Sequence, residues 1–122
     1  MKYLFLALFT TLFSFSQSSN YPPESGTYET YTTKKGQTIS VGDHIELGLP
    51  YAGTHFIFIS QDNTYVRSRL AGDVVEITKL EAATNNKKSY KMQAYFKGYG
   101  VLPVIIDIEN ALKTEEIILL NQ

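Results

Sequence analysis

The sequence predicts an all-β domain, mainly antiparallel: a small, partly open barrel of five to seven strands with one short helix before the last strand. Three observations carry this expectation. From Tyr28 onward apolar residues recur with a period of two, the spacing of a strand with one buried face. Turn signals such as Gly42-Asp43, Gln61-Asp62-Asn63, Asn85-Asn86-Lys87-Lys88 and Gly98-Tyr99-Gly100 interrupt that pattern at short intervals. The period gives way to a helical one over Asp107 to Lys113.

Taken in order, Tyr28 to Thr33 is rich in Tyr and Thr and runs into Lys34-Lys35-Gly36-Gln37, which reads as a strand and a turn. In Thr38 to Val41 and His44 to Leu47, the residues Ile39, Val41, Ile45 and Leu47 share one parity and one buried face, while Ser40, His44 and Glu46 point away. Gly48 and Pro50 close that segment. Phe56-Ile57-Phe58-Ile59 is apolar on both faces, as a central strand or the wall of a tightly curved barrel requires. Thr64 to Leu70 alternates as a short strand or an extended loop, with Val66 and Leu70 on one side and Tyr65, Arg67 and Arg69 on the other. Val74 to Leu80 alternates until the parity slips between Ile77 and Leu80, a slip that a β-bulge near Thr78-Lys79 absorbs.

Asn85 to Lys88 then reads as a hairpin loop. Tyr90 to Lys97 is the cleanest half-buried strand, with Tyr90, Met92, Ala94 and Phe96 facing in. In Val101 to Ile106, Pro103 restricts the strand to an edge or a bulge. Asp107 can cap a helical turn or two in which Ile108, Ala111 and Leu112 fall on one side. Ile117 to Leu120 is the last strand. Among small all-β folds, a helical turn before the last strand is more like an SH3-like barrel than an OB-fold, an analogy at the level of fold alone.

Met1 to Ser16 has the parts of a cleaved export signal: Lys2, an apolar run from Leu4 to Phe13, and small residues at Ser14 and Ser16. Cutting after Ser18 is a close variant. The apolar run is shorter than the roughly 20 residues of a membrane-spanning helix, so no transmembrane span is expected once the signal is removed. Residues 17–27, rich in Ser, Asn, Pro and Gly, read as a flexible polar tether or a frayed terminus, and residues 28–122 as a single domain. With no cysteine in the chain, neither disulfides nor a cysteine-linked lipid anchor are available. The expected location is therefore the periplasm or the exterior. The chain carries 11 Lys and Arg against 12 Asp and Glu, with both signs interspersed. A nucleic-acid partner would draw a strongly basic face, and none is expected.

The run Val41 to Gly48, with Lys97-Gly98-Tyr99-Gly100 and Ile106 to Leu112, resembles a group of small, exported, functionally uncharacterised β-rich domains of Gram-negative bacteria. The resemblance rests on turn and cap motifs. It implies the fold and the compartment and brings no activity with it.

No catalytic residue, metal site or cofactor is predicted. His44 and His55 are the two histidines, and their spacing matches no metal signature. A small secreted hydrolase or metal-dependent enzyme using them, with Asp43 or Asp62, is the competing expectation. Asp43 and Asp107 read as turn and cap residues, and the neighbours Glu115-Glu116 point to opposite faces if extended. The favoured functional surface is the stripe Tyr65, Arg67 and Arg69, joined by Tyr51, Tyr95 and Tyr99. Two guanidinium groups beside an aromatic ring suit a carboxylate-bearing peptide, glycan or protein of the cell envelope. The expected function is thus a non-catalytic binding module, with inhibition of an envelope enzyme as a variant using the same surface.

Overall fold

A computed structural model of the chain describes residues 17–83 and 89–120. Its elements are β1 (Ser18–Asn20), β2 (Gly26–Tyr28), β3 (Thr30–Thr32), β4 (Thr38–Ser40), β5 (His44–Leu47), β6 (His55–Gln61), β7 (Thr64–Arg67), a 3₁₀ turn (Ser68–Leu70), β8 (Val74–Glu76), β9 (Lys79–Ala83), β10 (Lys91–Phe96), β11 (Val104–Asp107), α1 (Ile108–Lys113) and β12 (Ile117–Leu119). They form three sheets, ordered β1-β3-β4, β2-β9-β10-β11-β6-β7 and β12-β5-β8. Every pairing is antiparallel except β1 with β3. The fold is all-β and mainly antiparallel, with one short helix before the last strand; no sheet closes into a barrel.

The strands outnumber the expected five to seven because single alternating runs are shared between sheets. Ile39, Ile45 and Leu47 are all buried, as their common parity requires, yet β4 belongs to the first sheet and β5 to the third. The parity slip between Ile77 and Leu80 is likewise no bulge. β8 ends in the third sheet, β9 begins in the six-stranded one, and the chain crosses between them. Ile77 exchanges backbone hydrogen bonds with Gly42 and Asp43, whereas Thr78 donates its N–H to the Tyr95 carbonyl. Both Ile77 and Leu80 therefore reach the core from different sheets.

β10 has the expected alternation, with Met92, Ala94 and Phe96 buried and Lys91, Gln93 and Tyr95 on the other face. β11 lies between β10 and β6, although Pro103 pointed to an edge or a bulge. The strand begins just after the proline, at Val104, so no ladder donor is lost. β9 and β10 pair antiparallel across residues 84–88, so the expected hairpin loop falls outside the described residues.

Residues 17–27 are no tether. β1 pairs with β3, the Tyr21 N–H donates to the Thr32 carbonyl, and Pro23 is buried. This attachment runs through backbone groups, so side-chain composition carried little sign of it.

One hydrophobic cluster joins all three sheets and α1, with Tyr31, Phe56 and Phe96 among its fully buried side chains. Each large apolar side chain removed from water contributes roughly 1.5–3 kcal/mol. Ile108 and Ala111 bring α1 into the same cluster. Among the described residues no helix is long and apolar enough to cross a membrane.

Candidate functional site

β7 is the terminal strand of the six-stranded sheet, and the turn before it sets which side chains it presents. Asp62 and Asn63 both have positive φ, 52° and 60°, in a two-residue hairpin between Gln61 and Thr64. That is the backbone of a type I′ turn, where Asn and Asp tolerate the left-handed region. The register that follows buries Val66 and turns Tyr65 and Arg67 outward, with Tyr65 56% exposed. Ser60 pairs with Tyr65 and His55 with Arg67, leaving extra residues on the β6 side between the two pairs.

Across this bulge the His55 ring stacks on Tyr65, with centroids 5.3 Å apart and planes at 24°. His55 Nδ1 lies 3.1 Å from the Thr54 hydroxyl, and the Ser68 N–H donates to the Thr54 carbonyl at 3.1 Å. The loop before β6 is thereby joined to the 3₁₀ turn that carries Arg69. Arg67 and Arg69 are both exposed, and neither has an ion-pair partner among the described residues. Tyr65, Arg67, Arg69 and His55 thus gather at one end of β7. Arg69 stands on the turn rather than on a straight continuation of the strand.

The remaining tyrosines of the expected stripe are placed differently. Tyr51 is 69% exposed in the loop leading to His55. Tyr95 shares a cross-strand row with Tyr65, through Ile105 and Ser60. Three strand spacings put them about 14 Å apart. Its hydroxyl donates to Glu81 at 2.8 Å and Lys79 lies over its ring; burial, and then that bond, push its pKa up to about 12. Tyr99 packs edge-on against Phe96 and donates to Asp73 at 3.0 Å. Burial first and this bond second raise its pKa. Tyr99 thus braces the core edge and lies apart from the gathered residues.

The two histidines stand in different sheets, His44 on β5 opposite Glu76 and His55 on β6. Among the described residues no group of three or more His, Asp or Glu is placed to hold a metal ion. Asp43 accepts the Ser40 N–H at a turn. Asp107 sits at the N-cap position of α1, where its carboxylate accepts from the Asn110 side chain and pairs with Lys91 at 3.6 Å.

Glu116 is the site residue least legible in the sequence. Glu115 takes a left-handed φ of 61°, so the two neighbours do not alternate as an extended chain would, and Glu116 turns fully inward at 0% exposure. Its Oε2 accepts the N–H groups of Tyr51 and Ile57, each at 2.8 Å, and its Oε1 accepts that of Phe58 at 2.7 Å. Two successive strand residues donating to one carboxylate is what a bulge permits, since their N–H groups no longer alternate. Glu116 therefore holds both the Tyr51 loop and the irregular part of β6. Gly48 allows this approach: a Cβ there would lie 2.1 Å from the Glu115 carbonyl oxygen.

No protein-family model, curated protein or solved structure matches the chain.

Proposed function

We propose that the protein is an exported, non-catalytic binding module of the cell envelope that takes a carboxylate-bearing peptide segment of a partner protein along β7. The observation that carries this reading is the exposed grouping of Tyr65, stacked on His55, with Arg67 and Arg69 and no intramolecular acid pairing either guanidinium among the described residues. An arginine fork matches a carboxylate in two parallel hydrogen bonds, and an aromatic pair supplies contact area at low entropic cost. A terminal strand also offers backbone groups to an extended peptide, which favours a peptide over a glycan. Export rests on the character of Met1 to Ser16.

The test is affinity capture from the producer's envelope fraction with the protein and its Arg67→Ala/Arg69→Ala variant. The variant should fold normally and lose the captured partner. Equal recovery by both would remove β7 as the binding edge.

A further inference from the structure

The third sheet carries a surface whose chemistry is the reverse of the β7 edge. In register across it, Ile118 of β12 lies beside Glu46 of β5, which lies beside Val74 of β8, and His44 lies beside Glu76. Ile118 is 43% exposed, Val74 53% and Leu120 49%. Glu46 and Glu76 have no ion-pair partner among the described residues. The β9-β10-β11 part of the six-stranded sheet is built otherwise, because Lys79 pairs with Glu81 and Lys91 with Asp107, both at 3.6 Å, so those four charges are answered within the chain. The third sheet thus presents aliphatic side chains and two carboxylates without an ion pair among the described residues, flanked by the terminal strands β12 and β8.

We infer that the occupant of this face is the β7 edge of a second copy of the chain. Charge complementarity selects it: among the described residues Arg67 and Arg69 are cations without paired acids and Glu46 and Glu76 acids without paired cations, and Tyr65 can cover Ile118 and Val74. The formal net charge is only −1. Association is therefore not opposed by strong overall repulsion, and the segregation of the charges decides the geometry. Because the two surfaces differ, the contact is head-to-tail, and an assembly that does not close into a ring leaves one of each surface free at its ends. This inference rests on the reading of β7 as a carboxylate-binding edge and names an acidic partner for it.

Sedimentation equilibrium across a concentration series tests it. At about 0.1 M salt the average mass should rise with concentration toward at least twice that of the monomer. It should fall back at about 1 M, where the screening length shortens from about 10 Å to about 3 Å. Arg67→Glu/Arg69→Glu and Glu46→Lys/Glu76→Lys should each stay monomeric with an unchanged circular dichroism spectrum. An equimolar mixture of the two should regain the larger mass, since each variant then meets an opposite charge. The milder Glu46→Gln/Glu76→Gln should weaken the association if the charge reversal disturbs folding. A constant monomer mass, assembly that persists in both variants, or a mixture that stays monomeric would overturn the inference. Glu46→Lys/Glu76→Lys leaves β7 intact and should still capture an envelope partner. Capture without self-association therefore removes this inference alone, whereas loss of the β7 reading shows as unchanged capture by Arg67→Ala/Arg69→Ala.

Discussion

Glu116 and the pair Arg67 and Arg69 are charged side chains on neighbouring parts of the molecule, and they are treated in opposite ways. The buried carboxylate meets three backbone N–H groups and holds a loop and a strand in place. The two guanidinium groups stand in solvent with no acid paired to them among the described residues. A charge whose hydrogen bonds close within the chain serves the fold, and removing it costs stability. A charge left open costs little to remove, and under the proposed reading it is available to another molecule. The difference makes stability and binding separable by mutation.

The largest effect should come from Glu116→Ala. It strands three backbone donors, and breaking a buried charged network typically costs about 3–5 kcal/mol. Urea denaturation should show that loss, with Glu116→Gln intermediate because one acceptor oxygen remains. Next is Gly48→Ala, whose methyl group would overlap the Glu115 carbonyl. Overpacking of this kind costs about 1–3 kcal/mol, and backbone is the obstacle here, so the upper end is expected in the same assay. Tyr31→Phe removes the hydroxyl that donates to Glu109, which also accepts the Lys34 N–H. A hydrogen bond to a charged group is worth about 1.5–3 kcal/mol.

A gentler probe is alkaline pH. Tyr95 is pushed up to about 12, and Tyr31 and Tyr99 are also raised, in each case by burial first and by the bond to an acid second. A tyrosine whose folded pKa lies above its unfolded value favours the fold fully below about pH 10. That contribution is lost as pH rises through the folded value. Stability measured by denaturant should therefore decline between about pH 10 and 12, and Tyr95→Phe should reduce the decline. The smallest effect belongs to Arg67→Ala/Arg69→Ala, which should leave stability within about 0.5 kcal/mol of the parent protein.

The same contrast explains what could be read in the sequence. Met92, Ala94 and Phe96 announced their buried face because one strand stays in one sheet for its whole length. Tyr65 and Arg67 could be placed on one side of a strand for the same reason, since burial of Val66 fixes the parity. Alternation does not say when a chain leaves one sheet for another, which is why the parity slip between Ile77 and Leu80 resembles a bulge and why alternation alone predicts too few strands. Nor does it register backbone-mediated pairing, so Ser18–Asn20 looked like tether. Glu116 was hidden for a further reason. Its partners, Tyr51, Ile57 and Phe58, are main-chain donors some 60 positions earlier, and their availability depends on a bulge and on the close approach at Gly48.

The most direct test of the β7 edge is an amide-resolved NMR titration of the protein with an extended peptide carrying two glutamates, beside a matched peptide carrying two glutamines. Saturable shifts confined to His55 and Thr64 to Leu70, seen with the acidic peptide and lost in Arg67→Ala/Arg69→Ala, are the predicted result. Equal response to both peptides, or shifts that survive the double substitution, would contradict the account.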